Sequence, residues 1–308
     1  MSTSILVTAK INPDLDGVAC TYAYSHFLRM QGKNATGGVF GQMHAEAAYL
    51  VDRFGIDDIV HDPAAPFDSF ILVDASDMAG MPVVIRPEAV MEVIDHREVH
   101  SADKLFPNAE IQIEQIGSAA TLIVERYRSS QHPIDPHSAI LLYGAIYSNT
   151  LNFQVSIATE RDRIAADWLQ SQTAIPAHLI DDMFAAKTRF ASEHLQDALL
   201  DTKQVTIGKY KMGIAQLEIL DLQQLVDVRI NEILTELEHM KKEHRLDMVL
   251  LTAVDLGNGF NLFITSDSQM QAALSKVLHI DFENNTAKKT GVLLRKQLVP
   301  LLRSVMKN

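Results

Sequence analysis

Four carboxylates and one imidazole stand just past apolar runs of strand length, and ligands of open α/β sheets gather at the carboxyl ends of strands. Asn12-Pro13-Asp14-Leu15-Asp16-Gly17 follows the run Ile5 to Val7 and precedes a stretch of helical period. Asp14 and Asp16 are two residues apart, so in extended backbone both carboxylates point the same way. Two carboxylates on one side form a hard-cation site or an expensive repulsion. The plainer alternative has Asp16 capping the helix and Asn12-Pro13-Asp14 forming a turn. Phe70 to Val73 is followed by Asp74, and Ala89 to Ile94 by Asp95-His96-Arg97. If the three runs are strands of one sheet, Asp14, Asp16, Asp74, Asp95 and His96 reach one rim. Oxygen ligands with one nitrogen suit manganese, cobalt or magnesium better than copper or structural zinc.

Two other segments bear on anions. Ile116-Gly117-Ser118-Ala119-Ala120-Thr121 opens a helix whose first N–H groups can face a phosphate, or Ser118 is simply its cap. Gly291-Val292-Leu293-Leu294-Arg295-Lys296-Gln297 sets two cations after a short apolar run, either a phosphate clamp or a solvated pair.

The elements that must position these residues follow an α/β pattern. Apolar runs at Ile5 to Val7, Ala35 to Phe40, Phe70 to Val73 and Ala89 to Ile94 alternate with helical stretches at Gly17 to Met30 and Met43 to Phe54. Ala109 to Gln115 reads as a further strand, and Ser118 to Arg128, His137 to Tyr147, Glu160 to Gln172 and His178 to Leu200 read as helices. The period then changes. Gln204 to Ile207 and Met212 to Ile219 flank a hairpin turn at Gly208-Lys209-Tyr210-Lys211, followed by an amphipathic stretch from Leu222 to His244. Met248 to Val254, a turn at Gly257-Asn258-Gly259, Asn261 to Thr265 and a helix from Gln269 to Leu278 complete a smaller α/β domain. The expected fold class is α/β, with a larger N-terminal parallel-sheet domain over residues 1–187 and a smaller domain over 188–308.

Composition narrows the function classes. A chain of 308 residues, 47% hydrophobic and 21% charged, has ample material for a large core, which excludes disorder as its main state. Lys+Arg 27 against Asp+Glu 39 leaves a net charge of −12, which disfavours broad adhesion to nucleic acid or anionic membrane. No basic stripe with interleaved aromatics suggests nucleic-acid recognition. The longest apolar runs fall far short of the ~20 residues of a membrane span, and Met1-Ser2-Thr3-Ser4 has no basic start of a signal peptide. One cysteine, Cys20, fits a reducing compartment, so a cytoplasmic protein is expected.

In order and spacing these segments resemble the manganese-dependent family II inorganic pyrophosphatases of the DHH phosphoesterase superfamily. Asn12-Pro13-Asp14-Leu15-Asp16 is similar to that family's first motif, Val73-Asp74 to its second, and Asp95-His96-Arg97 to its DHH signature. Glu114-Gln115-Ile116-Gly117-Ser118-Ala119-Ala120-Thr121 is similar to the glycine-serine motif, and the segment from Ala145 to Phe153 to the fifth. Lys203 and Arg295-Lys296-Gln297 are similar to the basic substrate-binding residues of the smaller domain. The resemblance implies an active cleft between a metal-binding domain and a substrate-binding domain, and hydrolysis of pyrophosphate to two phosphates. It implies two metal ions, manganese or else cobalt or magnesium, with Asp14, Asp16, Asp74 and His96 as ligands and Asp74 as the bridge. It further implies Arg97, Lys203, Arg295 and Lys296 on phosphate oxygens, a small phosphorylated substrate as partner, and pairing of two copies through the larger domain.

The departures from that pattern fall on ligand positions. Lys10 stands where the family's first motif has a histidine ligand, Asn149 where the fifth segment has an aspartate, and Arg97 where the DHH signature ends in a second histidine. An ammonium cannot donate a lone pair and repels a cation beside it, and an amide keeps an oxygen but loses a charge. Two readings follow. In the first, Lys10 replaces one metal as a fixed positive charge, a single divalent ion sits on Asp16, Asp74 and His96, and Arg97 binds phosphate. In the second, the site no longer activates water and the protein binds a phosphorylated ligand or a protein partner without turnover.

Overall fold

The expected first strand is β1 (Ser4–Thr8), whose residues Ile5 to Thr8 are all buried in the computed structural model, which describes residues 3–64, 66–97, 101–199 and 202–306. β1 pairs in parallel with β2 (Asn34–Val39) on one side and with β4 (Ser69–Val73) on the other. With β3 (Val60–His61), β5 (Val90–Asp95) and β6 (Glu110–Ile113) the order is β3-β2-β1-β4-β5-β6, every pairing parallel. The order runs outward in both directions from β1, so the connections reverse between β1 and β4, which in open α/β sheets is where ligands bind.

α1 (Leu15–Met30) starts where the Asp14 side chain accepts the Gly17 N–H at 3.0 Å, and it ends ahead of Gly32, whose φ is +77°. Asp16 therefore lies in the first turn of a helix rather than in extended backbone beside Asp14, which corrects the geometric step drawn from their spacing. α2 (Ala45–Phe54) closes on Gly55 in the left-handed conformation, as the sequence suggests. The short α3 (Ala102–Leu105), then α4 (Ala119–Ser130), α5 (Pro136–Asn149), α6 (Glu160–Gln172) and α7 (Leu179–Glu193) follow. The helix expected from His178 to Leu200 stops at His194 and resumes as α8 (Leu195–Ala198), and Leu200 lies outside the described residues.

The chain divides into two compact units, Met1–Met183 and Phe184–Asn308. The second has a five-stranded sheet in the order β11-β10-β9-β8-β7, built from β7 (Thr202–Ile207), β8 (Tyr210–Ile219), β9 (Met248–Asp255), β10 (Phe260–Ile264) and β11 (Thr286–Thr290). β8 and β9 are parallel and the other pairs antiparallel. The hairpin turn is tighter than expected, because Ile207 pairs with Tyr210 and only Gly208-Lys209 lies between.

β9 is buried along all eight residues because both sheet faces are covered. Val249, Leu251 and Ala253 join a core with α9 (Leu222–Glu243), while Met248 and Leu250 join another with α10 (Ser268–Leu278) and α11 (Arg295–Val305). Sequence reasoning missed β3, which is two exposed residues, β11, whose Lys288 and Lys289 break any apolar alternation, and α11, which carries Pro300 inside it. Among the described residues no helix is long and apolar enough to cross a membrane.

Candidate metal centre

Asp16, Asp74 and His96 meet at the carboxyl ends of β1, β4 and β5, with one ligand atom from each lying within 4.8 Å of the others. His96 Nε2 lies 3.4 Å from Asp74 Oδ1 and 3.9 Å from Asp16 Oδ2. Its Nδ1 is 3.1 Å from the Ile116 carbonyl. A carbonyl only accepts, so Nδ1 carries the proton and, in the neutral ring, Nε2 turns its lone pair toward the acids. Asp74 reaches this place from a left-handed backbone, φ +50°, with its N–H tied to the Ile94 carbonyl at 2.8 Å. Such a conformation costs an L-residue about 1–2 kcal/mol and is best tolerated by Asn and Asp.

The Asp16 carboxylate is 1% exposed and fully engaged. Oδ1 accepts from Ser118 Oγ at 2.9 Å and the Ala120 N–H at 2.9 Å, and the Cys20 thiol donates to it at 3.5 Å. Oδ2 accepts from the Ala119 N–H at 2.8 Å and from the Asn149 side-chain amide. The first amides of α4 thus already face an anion, and that anion is Asp16 itself. The free phosphate-facing amides considered for Gly117-Ser118 are, at Ala119 and Ala120, the hold on a ligand.

Burial disfavours charge on Asp14, Asp16 and Asp74. It pushes the Asp14 carboxyl up to about 6, with the Asp74 charge adding to the effect, and it raises Asp16 and Asp74 as well. Asp14 itself caps α1 and is not among the three converging ligand atoms. Two crowded carboxylates with an oriented imidazole lower their energy by taking up a hard divalent cation, and this donor set fits one such ion. Cys20 is pushed up by burial and then by Asp16, which leaves a neutral thiol beside the site.

Two of the three positions that depart from the family pattern, Lys10 and Arg97, form a second cluster, while Asn149 stays with Asp16. Lys10 Nζ lies 3.2 Å from Asp77 Oδ1, and Arg97 Nη1 donates to Asp77 Oδ2 at 2.7 Å. Arg97 Nε lies 3.1 Å from Asp95 Oδ2, and its Nη2 is 3.5 Å from the Asp74 carbonyl. Asp95, placed on the same rim by the sequence, is fully buried and spends its charge on Arg97 and its Oδ1 on the His96 N–H at 2.7 Å. Against burial, Lys10 and Arg97 hold the Asp77 carboxyl below its ordinary range. The side chains of Lys10 and Arg97 remain 28% and 33% exposed.

In the second unit, register brings two of the expected basic residues to one region. Lys203 on β7 pairs with Ile214 on β8, and the Ile214 carbonyl accepts from the Arg295 guanidinium at 3.1 Å. The Arg295 N–H donates to Gln216 Oε1 at 2.5 Å, and Lys296 follows in the first turn of α11 with its side chain exposed. Sequence reasoning missed Asp77, an acid in a loop with no apolar run directly before it. It also missed Glu46, buried at 4% exposure with Ser148 Oγ donating to it at 2.9 Å.

Comparisons with known proteins agree with this layout. Residues 4–146 match the DHH family, N-terminal domain, and residues 181–305 match the DHHA2 domain. A Bacillus velezensis protein described as a "probable manganese-dependent inorganic pyrophosphatase" is 30% identical over 306 residues, covering 97% of each chain. A Bacillus subtilis manganese-dependent inorganic pyrophosphatase is 29% identical over 310 residues, covering 98% of each. A Methanococcus jannaschii crystal structure assigned to the family II inorganic pyrophosphatases superposes with a TM-score of 0.80 at 22% identity, over 99% of this chain and 100% of that one, which bears on the fold. With both domains matched in order and a relative of 30% identity along nearly its whole length, the chain belongs to the family of manganese-dependent inorganic pyrophosphatases.

Proposed function

We propose that the protein hydrolyses pyrophosphate to two phosphates with the aid of one divalent cation, manganese in the first place, held by Asp16, Asp74 and His96. The observation that carries this reading is the convergence of those three ligand atoms within 4.8 Å at the point where the strand order reverses. The activity of the named relatives supports the substrate. A cation bound there supplies Lewis-acid neutralisation of phosphoryl charge and acidification of water.

The chain's own groups do the rest. Asp14 adds negative charge next to the ligands while capping α1. Lys10, anchored by Asp77, serves as a fixed positive charge in place of a second metal, and Arg97 has N–H groups beyond those used on Asp77 and Asp95 for a phosphate oxygen. In this reading Lys203, Arg295 and Lys296 of the smaller unit serve phosphate oxygens. With one ion, Asp74 has no second metal to bridge. Action in the cytoplasm and pairing of two copies through the larger unit belong to the same reading.

The test is phosphate release from pyrophosphate by metal-stripped protein titrated with manganese, cobalt and magnesium, with bound ions counted by elemental analysis. Manganese-dependent release at one ion per chain is expected. Silence with every metal in a folded protein overturns the activity, and two ions per chain overturn the role given to Lys10.

A further inference from the structure

Asp162 lies on α6, an element given no part in the site so far. It is fully buried at the third position of α6, where it completes a capping box with Thr159. That would be a local role, since Asp162 Oδ2 accepts from the Thr159 N–H and hydroxyl at 2.7 Å each. The same carboxylate, however, also reaches 45 residues back along the chain. Its Oδ2 accepts the Gly117 N–H at 3.0 Å and its Oδ1 accepts the Thr121 hydroxyl at 2.6 Å.

Those two contacts flank Ser118, Ala119 and Ala120 and adjoin Ile116, the residues that orient two of the three converging ligands. The Ile116 carbonyl fixes the His96 ring, and Ser118, Ala119 and Ala120 fix the Asp16 carboxylate. Gly117 is wedged between its neighbours as well, because a Cβ there would come within 2.6 Å of Thr150 Cγ2 and 2.7 Å of Asp162 Oδ2. Thr150 directly follows Asn149, whose amide donates to Asp16.

We propose that Asp162 is a positioning residue: by clamping Gly117 and Thr121 it holds the Ile116–Ala120 turn in the one place where Asp16 and His96 converge. A buried carboxylate accepting four hydrogen bonds from two chain segments is a stiff support, and groups that orient metal ligands typically set metal affinity by 10–100-fold. The proposal rests on the metal reading above for its consequence and on the geometry of the turn for its cause.

Two measurements separate these. Asp162→Asn keeps size and leaves one acceptor, but it turns an NH2 toward the Gly117 and Thr159 donors or toward Thr121. Its manganese Kd, measured by calorimetry, should weaken about tenfold or more. In metal-free protein the ring nitrogens of His96, followed by NMR, should lose the pinned Nδ1–H signature. Thr159→Ala removes one of the four hydrogen bonds to Asp162 but neither contact to Gly117 or Thr121, so it should move both readouts less than Asp162→Asn does. Where Asp162→Asn fails to fold, Thr121→Val removes one clamp contact without a charge change and should move both readouts in the same direction by less. A Kd within twofold of wild type together with an unchanged His96 ring overturns the proposal, even if the melting temperature falls. Should the wild-type protein bind no manganese, the metal reading fails and the His96 ring alone decides the clamp.

Discussion

Asp16, Asp74 and His96 come from the ends of β1, β4 and β5, and so do Lys10, Asp77 and Arg97 with Asp95. The two groups share three loops and balance charge in opposite ways. In the second, two carboxylates meet an ammonium and a guanidinium at salt-bridge distance, and the chain neutralises itself. In the first, the basic group at ion-pair distance from the two carboxylates, among the described residues, is an imidazole, the other donors to Asp16 are neutral, and burial raises both acids above their ordinary range. Acids at strand ends therefore do not by themselves define a metal site. What matters is whether the protein supplies the opposing charge or leaves it to a cation from solution.

The sharpest way to break this contrast is to remove one acid from each group. Asp74→Ala should weaken manganese binding by about 100-fold or more and abolish phosphate release, because a ligand is lost. Asp77→Ala should shift manganese affinity by less than about fivefold, since that carboxylate is already spent on Lys10 and Arg97. Comparable losses in the two variants, read by calorimetry, would erase the distinction. Converting one group toward the other is the next step. Lys10→His with Asn149→Asp removes the fixed cation and adds a carboxylate beside Asp16, so bound manganese should rise from one ion to two and affinity by about tenfold. No change in ion count would mean that the surroundings, and not those two side chains, set the stoichiometry.

The smallest effect expected is one of pH. The Asp14 carboxyl moves from 3.8 to about 6 on folding, and Asp16 and Asp74 move in the same direction. Between those values the native state holds more protons than the unfolded chain, so the stabilisation is complete below about pH 4 and is lost as pH rises through about 6. A divalent cation competes with those protons, and an imidazole ligand must also be neutral. The rise in melting temperature caused by manganese should therefore be larger at pH 7.5 than at pH 5. An equal rise at both values would show that the acids are ionised throughout.

Much of the first unit was legible because β1 and β4 are buried over most of their length and read as apolar runs, with acids at the ends of β4 and β5 in Asp74 and Asp95. Position at a strand end, though, did not tell a ligand from a neutralised acid. Asp95 and Asp16 look alike in sequence, and what separates them is Arg97 on one and Ser118, Ala119 and Ala120 on the other, the last three more than 100 residues away. The extended-backbone argument for Asp14 and Asp16 failed because the helix begins at Leu15, two residues before the expected start at Gly17. Asp77 and Asp162 carry no local signal of their long-range partners, one sitting in a loop and the other in an ordinary capping box. The basic residues of the smaller unit were recognisable by type, while their grouping depends on the β7–β8 register that sets Lys203 opposite Ile214.

Asp16 serves both as a converging ligand and as the acceptor for the opening amides of α4, which lie 103 and 104 residues further along the chain. Any change in what that carboxylate binds alters the protection of those two amides from exchange with solvent deuterium. The Ala119 and Ala120 backbone protons are thus a built-in gauge of the site, readable in wild-type protein without substrate or turnover.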